Sequence, residues 1–167
     1  MRVEGSRVEK PADEKAALAK YLAAYEKLGA RHVVVKARDN ETTFGLKVKN
    51  EDVAAFCKAQ GGRFIGFAGV DPHKGIAAVK ELEFAVRELG LRGLNLQCFE
   101  LKLPINDKKM YPLYAKCVEL DIPIFVNAGI PGPRVPFACQ DVAHIDEVCW
   151  FFPDLKFVMR HGAEPWE

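Results

Sequence analysis

His161 closes the apolar run LKFVMRH and is followed at once by Gly162, which leaves room for a ligand to approach the backbone. A neutral imidazole there could bind a metal or exchange a proton near pH 7, and a hydrogen-bonded structural histidine is the competing reading. Glu164 could orient that ring as a hydrogen-bond acceptor, or simply begin an exposed helix. Arg134, in the glycine- and proline-rich stretch AGIPGPRVP, could make a two-pronged contact with a substrate carboxylate, or be a solvated loop residue. Arg160 and Lys102 rank lower, because strand alternation sets Arg160 on the side opposite His161 and a lone lysine is usually solvated. His73 follows Asp71-Pro72 and reads as part of a helix start, His144 lies within a helix, and His32 opens a strand at its amino end.

The elements that must position these residues alternate along the chain. A helix carries Leu18, Leu22, Tyr25 and Leu28, with Pro11 in its first turn. HVVVKA (32–37) is a β-branched run typical of a strand buried on both faces. Asn50 can cap a short helix bearing Val53, Phe56 and Cys57, ended by Gly61-Gly62, before RFIGFAGV. Asp71-Pro72 turns into a helix with Ile76, Val79, Leu82, Val86 and Leu89, and LRGLNLQ follows. Asn106 or Asp107 caps a helix with Met110, Leu113, Tyr114, Cys117 and Leu120 before IPIFVNA. The last unit runs from Gln140 through Ile145, Val148 and Phe152 to LKFVMRH, its aromatic run Trp150-Phe151-Phe152 reading as core.

Strands thus begin about 30 residues apart, each pair joined by one helix, as in a parallel α/β sheet with right-handed crossovers. An open doubly wound sheet and part of an eight-stranded barrel, which takes about 250 residues, both satisfy this pattern. In either, chemistry gathers beyond the carboxyl ends of the strands. That places Lys36, Arg38, Asp39 and Asn40, then Asp71 and His73, then Asn95, Gln97, Cys98 and Glu100, then Asn127, Arg134 and Gln140, then Arg160, His161 and Glu164 at the candidate site. The phosphate-cradling and dinucleotide glycine motifs and the nucleophile-elbow motif are absent from the sequence.

The 167 residues carry 24 Lys and Arg against 23 Asp and Glu, a net charge of +1 with no long basic run, which argues against a nucleic-acid partner. No apolar stretch approaches the roughly 20 residues that cross a bilayer, and the opening MRVEGSRVEKPADEK has no signal-like apolar segment, so a cytoplasmic protein is expected. The five cysteines form no C-x-x-C pair and read as reduced, mostly buried side chains, with a catalytic thiol conceivable at Cys98 or Cys139.

The runs RFIGFAGVDP, GLRGLNLQ, PINDKKMYPLYAKCVELDIPIFVNAG and FFPDLKFVMRHGAEPW resemble the amidohydrolase-related (amidohydrolase 2) family of metal-dependent TIM-barrel enzymes, whose members include aminocarboxymuconate-semialdehyde decarboxylase and resorcylate-type decarboxylases. The resemblance implies a partial (β/α)8 barrel, about five βα units corresponding to the second through sixth strands, in one domain incomplete at both ends. It implies a divalent metal, zinc or manganese. The family's His-x-His pair has no counterpart in this sequence, and the usual metal-binding histidine of the fifth strand is matched by Asn127, a weak ligand. His161 matches the sixth-strand histidine that takes part in acid-base chemistry beside the metal.

The expected function is therefore that of an amidohydrolase-family hydrolase acting on a small carboxylate-bearing molecule, with His161 catalytic and Arg134, Asn127 and Gln97 holding substrate. Decarboxylation on the same scaffold is the near alternative. A non-catalytic half-barrel is the other: its edges, HVVVKA and LKFVMRH, would seek a partner, and a homo-oligomer is compatible with that.

Overall fold

A computed structural model describes residues 12–165. The chain divides into two units, Met1–Val33 and Val34–Glu167. In the first, α1 (Glu14–Lys27) starts where the Asp13 carboxylate accepts the Ala16 N–H at 3.0 Å, and Tyr21 and Tyr25, one turn apart, place their rings 4.6 Å from each other. The expected first-turn role of Pro11 falls outside the described residues.

The second unit begins within β1 (Val33–Lys36). A short antiparallel hairpin follows, absent from the sequence reading: β2 (Arg38–Asn40) pairs with β3 (Leu46–Val48) around the single turn α2 (Glu41–Phe44). Then come α3 (Asn50–Ala59), β4 (Phe64–Phe67), α4 (Ile76–Arg87), β5 (Leu94–Leu96), α5 (Cys98–Leu101), α6 (Tyr111–Glu119), β6 (Ile124–Asn127), α7 (Ala143–Phe151) and β7 (Phe157–Arg160). The five strands read from the sequence are β1, β4, β5, β6 and β7.

Their order in space is their order in the chain. β1 pairs with β4, the Ala37 N–H donating to the Phe67 carbonyl at 2.9 Å. A parallel bridge between Ala68 and Leu94 links β4 to β5, and β5, β6 and β7 form a parallel sheet with Leu94 opposite Ile124 and Ile124 opposite Phe157. Successive parallel strands joined by helical crossovers make this a run of barrel wall.

The side-chain period of two decides what each face does. Leu94, Leu96, Ile124 and Val126 point to the helices and join Leu82 of α4 and Leu113 of α6 in one buried cluster. Each such side chain contributes about 1.5–3 kcal/mol of hydrophobic stabilisation. Asn95, Phe125 and Asn127 alternate with them and take the opposite face.

Several local expectations change. Asn50 does not cap α3. It is buried, its carbonyl oxygen accepts the Gly69 N–H at 3.0 Å, and its amide donates to Glu81 at 2.6 Å, which ties α3 to the segment after β4 and to α4. Ile76 faces solvent. So do Trp150 (76% exposed) and Phe151 (53%), the last two residues of α7, while Phe152, which ends the helix, packs on the core. Among the described residues no helix is long and apolar enough to cross a membrane.

Candidate active site at the strand ends

Asn127 and Arg160 end β6 and β7 and lie opposite each other in register. The Arg160 guanidinium donates from one nitrogen to the Asn127 Oδ1 at 2.9 Å and to the Asn95 Oδ1 at 3.1 Å. Three strands are thereby tied together on the face away from the helices. Beside them lies a cleft of about 180 Å³ lined by Val34, Lys36, Phe67, Asn95, Phe125 and Arg160. The Phe67 and Phe125 rings meet with centroids 4.5 Å apart, so an apolar wall adjoins the polar one.

Lys36 completes that polar wall from β1. Partial burial lowers its ammonium pKa to about 8, helped by the positive charges of Arg160 and Arg38 and opposed by Glu100. Glu100 itself is committed to others: it accepts from Arg38 at 2.9 Å and from the Asn40 amide. Burial also lowers the Arg160 pKa from its ordinary value.

Gln97, expected to hold substrate, lies beside this group with its side-chain oxygen taken by the Arg38 Nε at 3.0 Å. Arg38 is set by the hairpin. Asp39, next in β2, is buried and bound by Lys74 at 2.6 Å and Lys47 at 3.0 Å; burial resists its ionisation, but these two ammonium groups and the Glu41 N–H hold its carboxyl below the usual range. Asp71 fastens the same hairpin by accepting the Thr42 N–H at 3.0 Å.

His161 falls just beyond β7, in a short 3-10 turn with φ of 64°, and is exposed. The alternation argument that separated it from Arg160 therefore does not apply, since His161 is no longer strand. Its turn is held against the loop after β6: the Ile130 N–H donates to the Glu164 carbonyl at 2.9 Å, and a Cβ on Gly129 would meet that oxygen at 2.2 Å. Gly129, at φ of 80°, is the residue this approach requires. Gln140 closes the loop's other end, donating its amide to the Gly129 carbonyl at 3.0 Å.

Arg134 sits exposed in that loop, apart from the cleft lining. Cys98 is fully buried and its thiol is pushed far up by burial, which removes it as a nucleophile; burial also raises Cys139. His73 donates from Nε2 to the Leu101 carbonyl at 2.8 Å, and His144 from Nε2 to that of Ala138 at 3.0 Å.

The structure thus brings together Asn127, Asn95, Arg160 and Lys36, with Gln97 in the adjoining network, and sets His161 and Arg134 on neighbouring loops. By sequence alone Lys36 and Asn95 are only residues near strand ends, and Arg160 ranks low. The signal was present: in VKA, LNL, VNA and MRH a polar side chain breaks an apolar run at the position that alternation turns away from the helices.

Metal ligation fits this arrangement poorly. Asn127 offers one oxygen, already bonded to the Arg160 guanidinium, and Lys36 lines the same cleft as Arg160. Among the described residues no group of three or more His, Cys, Asp or Glu side chains is placed to hold a metal ion.

Comparison with known proteins defines the family. The amidohydrolase family model matches residues 4–167, and the chain belongs to that family. A 2-keto-4-carboxy-3-hexenedioate hydratase from Sphingobium sp. SYK-6 is 30% identical over 104 residues, which is 52% of this chain and 30% of that protein. The structure of a TIM-barrel protein from Bordetella bronchiseptica superposes with a TM-score of 0.70 at 28% identity, over 91% of this chain and 55% of that one. A dihydroxybenzoic acid decarboxylase from Polaromonas sp. JS666, solved with manganese and 2-nitroresorcinol, shares the fold at TM-score 0.63 and 22% identity, covering 87% of this chain and 54% of that one. The chain spans about half the length of these barrels, and its fold is that of a partial (β/α)8 barrel.

Proposed function

We propose that the chain forms five of the eight strands of the catalytic barrel in an amidohydrolase-family hydrolase acting on a small, carboxylate-bearing organic molecule. The observation that carries this reading is the Arg160 guanidinium, locked by Asn95 and Asn127 at the carboxyl end of the sheet, where barrel enzymes assemble their chemistry. A guanidinium fixed in this way presents its remaining N–H donors to a carboxylate with little ordering left to do. Phe67 and Phe125 supply an apolar wall for the body of the substrate. His161, on the turn that follows Arg160, is the group that would move a proton, and Arg134 lies on the loop that would close over a bound acid. A divalent cation, which the family resemblance implies, does not fit between Asn127 and Arg160.

Incubating the protein with a panel of carboxylated esters, lactones and amides, and following acid release at constant pH, tests this directly. Turnover that falls at least 10-fold in both Arg160→Met and His161→Ala supports the reading; turnover untouched by both contradicts it.

Decarboxylation is the second reading, favoured by the fold shared with the manganese-bound decarboxylase. Release of carbon dioxide from a dihydroxybenzoate, without hydrolysis of any panel member, would select it. A non-catalytic half-barrel is the third. The edge strand β7 leaves Val158 (38% exposed) on one face and Met159 (49%) on the other, a surface suited to pairing with another chain.

A further inference from the structure

The polar side chains lining the cleft between β1 and β7 are Lys36, Asn95 and Arg160, two cations and an amide. The Oδ1 atoms of Asn95 and Asn127 each accept from Arg160, and their amide N–H groups add donors that can meet a ligand. Arg160 and Lys36 add only donors. The acids of the neighbourhood are engaged elsewhere: Glu100 with Arg38 and Asn40, and Asp39 with Lys74 and Lys47. Among the described residues no carboxylate is hydrogen-bonded to the Lys36 ammonium; two guanidinium groups disfavour its charge, and the Glu100 carboxylate, itself bound to Arg38, opposes them. Like charges gathered in a partly buried cleft oppose one another and are relieved by an anion.

We infer that Lys36 and Arg160, with the amides of Asn95 and Asn127, form a carboxylate-binding centre in which the fixed guanidinium stands where a metal cation would otherwise act, so that the centre binds its ligand without any divalent ion. This rests on the reading of a carboxylate-bearing substrate and adds to it the source of the positive charge. The cleft's shape narrows the ligand further. Phe67 and Phe125 flank the donors, so the preferred ligand carries its carboxylate on a flat apolar body.

The same geometry disfavours a dication at the Asn127 oxygen. A metal at the Asn127 oxygen would displace the Arg160 bond and sit beside two resident cations, with the repulsion only weakly screened in a partly buried site.

The test is calorimetric titration of the full 167-residue chain with benzoate, with the neutral isostere benzamide as control, each in EDTA and again in excess manganese. Expected are benzoate binding in EDTA that weakens with added salt, benzamide binding at least 10-fold weaker, and no gain from manganese. Lys36→Met and Arg160→Lys, which preserve side-chain bulk, should each weaken benzoate at least 10-fold while leaving the melting temperature within a few degrees. Benzoate binding that appears only with manganese, and survives Arg160→Lys, would overturn the metal-free centre yet leave the carboxylate reading standing. Equal binding of benzoate and benzamide, or none under either condition, would overturn both.

Discussion

Arg160 bonds Asn127 on the adjacent strand at 2.9 Å, and the two are register partners at the carboxyl ends of β7 and β6. In the family resemblance, the Asn127 position is the one usually given to a metal-binding histidine. Here the amide oxygen serves a guanidinium, and the neighbouring Asn95 oxygen serves the same nitrogen. One charged side chain therefore organises three strand ends.

Restoring histidine at that position should not restore metal binding. Asn127→His leaves Arg160 and Lys36 in place, so manganese titrated into the variant should bind no tighter than to the parent. Loss of the Arg160 anchor should cost about 1–3 kcal/mol of stability, read by denaturant unfolding.

Lys36 makes stability depend on pH in a defined direction. Its folded pKa of about 8 lies below the ordinary 10.5, so the unfolded chain binds more protons between those values and the lysine's contribution to stability rises with pH across that window. Below about pH 8 the penalty of burying the charge among Arg160 and Arg38 is fully present. Lys36→Met should therefore be more stable than the parent at pH 7, and the gap should shrink by pH 10. A gap that widens with pH would contradict this account.

Gly129→Ala should disturb two loops at once. The new Cβ would meet the Glu164 carbonyl at 2.2 Å at a backbone φ of 80°, so the 161–164 turn must shift. Positive φ alone costs a non-glycine residue about 1–2 kcal/mol, and a lowered melting temperature together with altered His161 ring signals in proton spectra is expected.

Thiol labelling should sort the cysteines by burial. Cys149 is exposed, whereas Cys98 and Cys117 are fully buried, burial pushing the Cys117 thiol up to about 12. A thiol reagent should modify Cys149 first in the native protein and reach Cys98 and Cys117 only on unfolding.

The strand and helix alternation was legible because each buried strand is a continuous apolar run and each helix repeats its apolar residues at helical spacing. The β2–β3 hairpin was not. Its strands, RDN and LKV, have three residues each, and they are held by Asp39 ion pairs and by Asp71, a residue 29 positions from the Thr42 it bonds. The site was legible in part. Strand-end counting marked Asn95, Asn127 and Gln97, but the weight of Arg160 depends on acceptors 33 and 65 residues away, which no local pattern reveals. Asn50 shows the converse: a capping residue by local pattern, it was drawn instead to the buried backbone of Gly69.

The most direct test of the account follows the site's own nuclei. In nitrogen-15 spectra of the full chain titrated with benzoate, the side-chain signals of Arg160, Asn95 and Asn127 should shift together with one saturation curve, while that of Arg134 follows only if its loop closes. Binding that leaves those three signals unmoved would contradict the account.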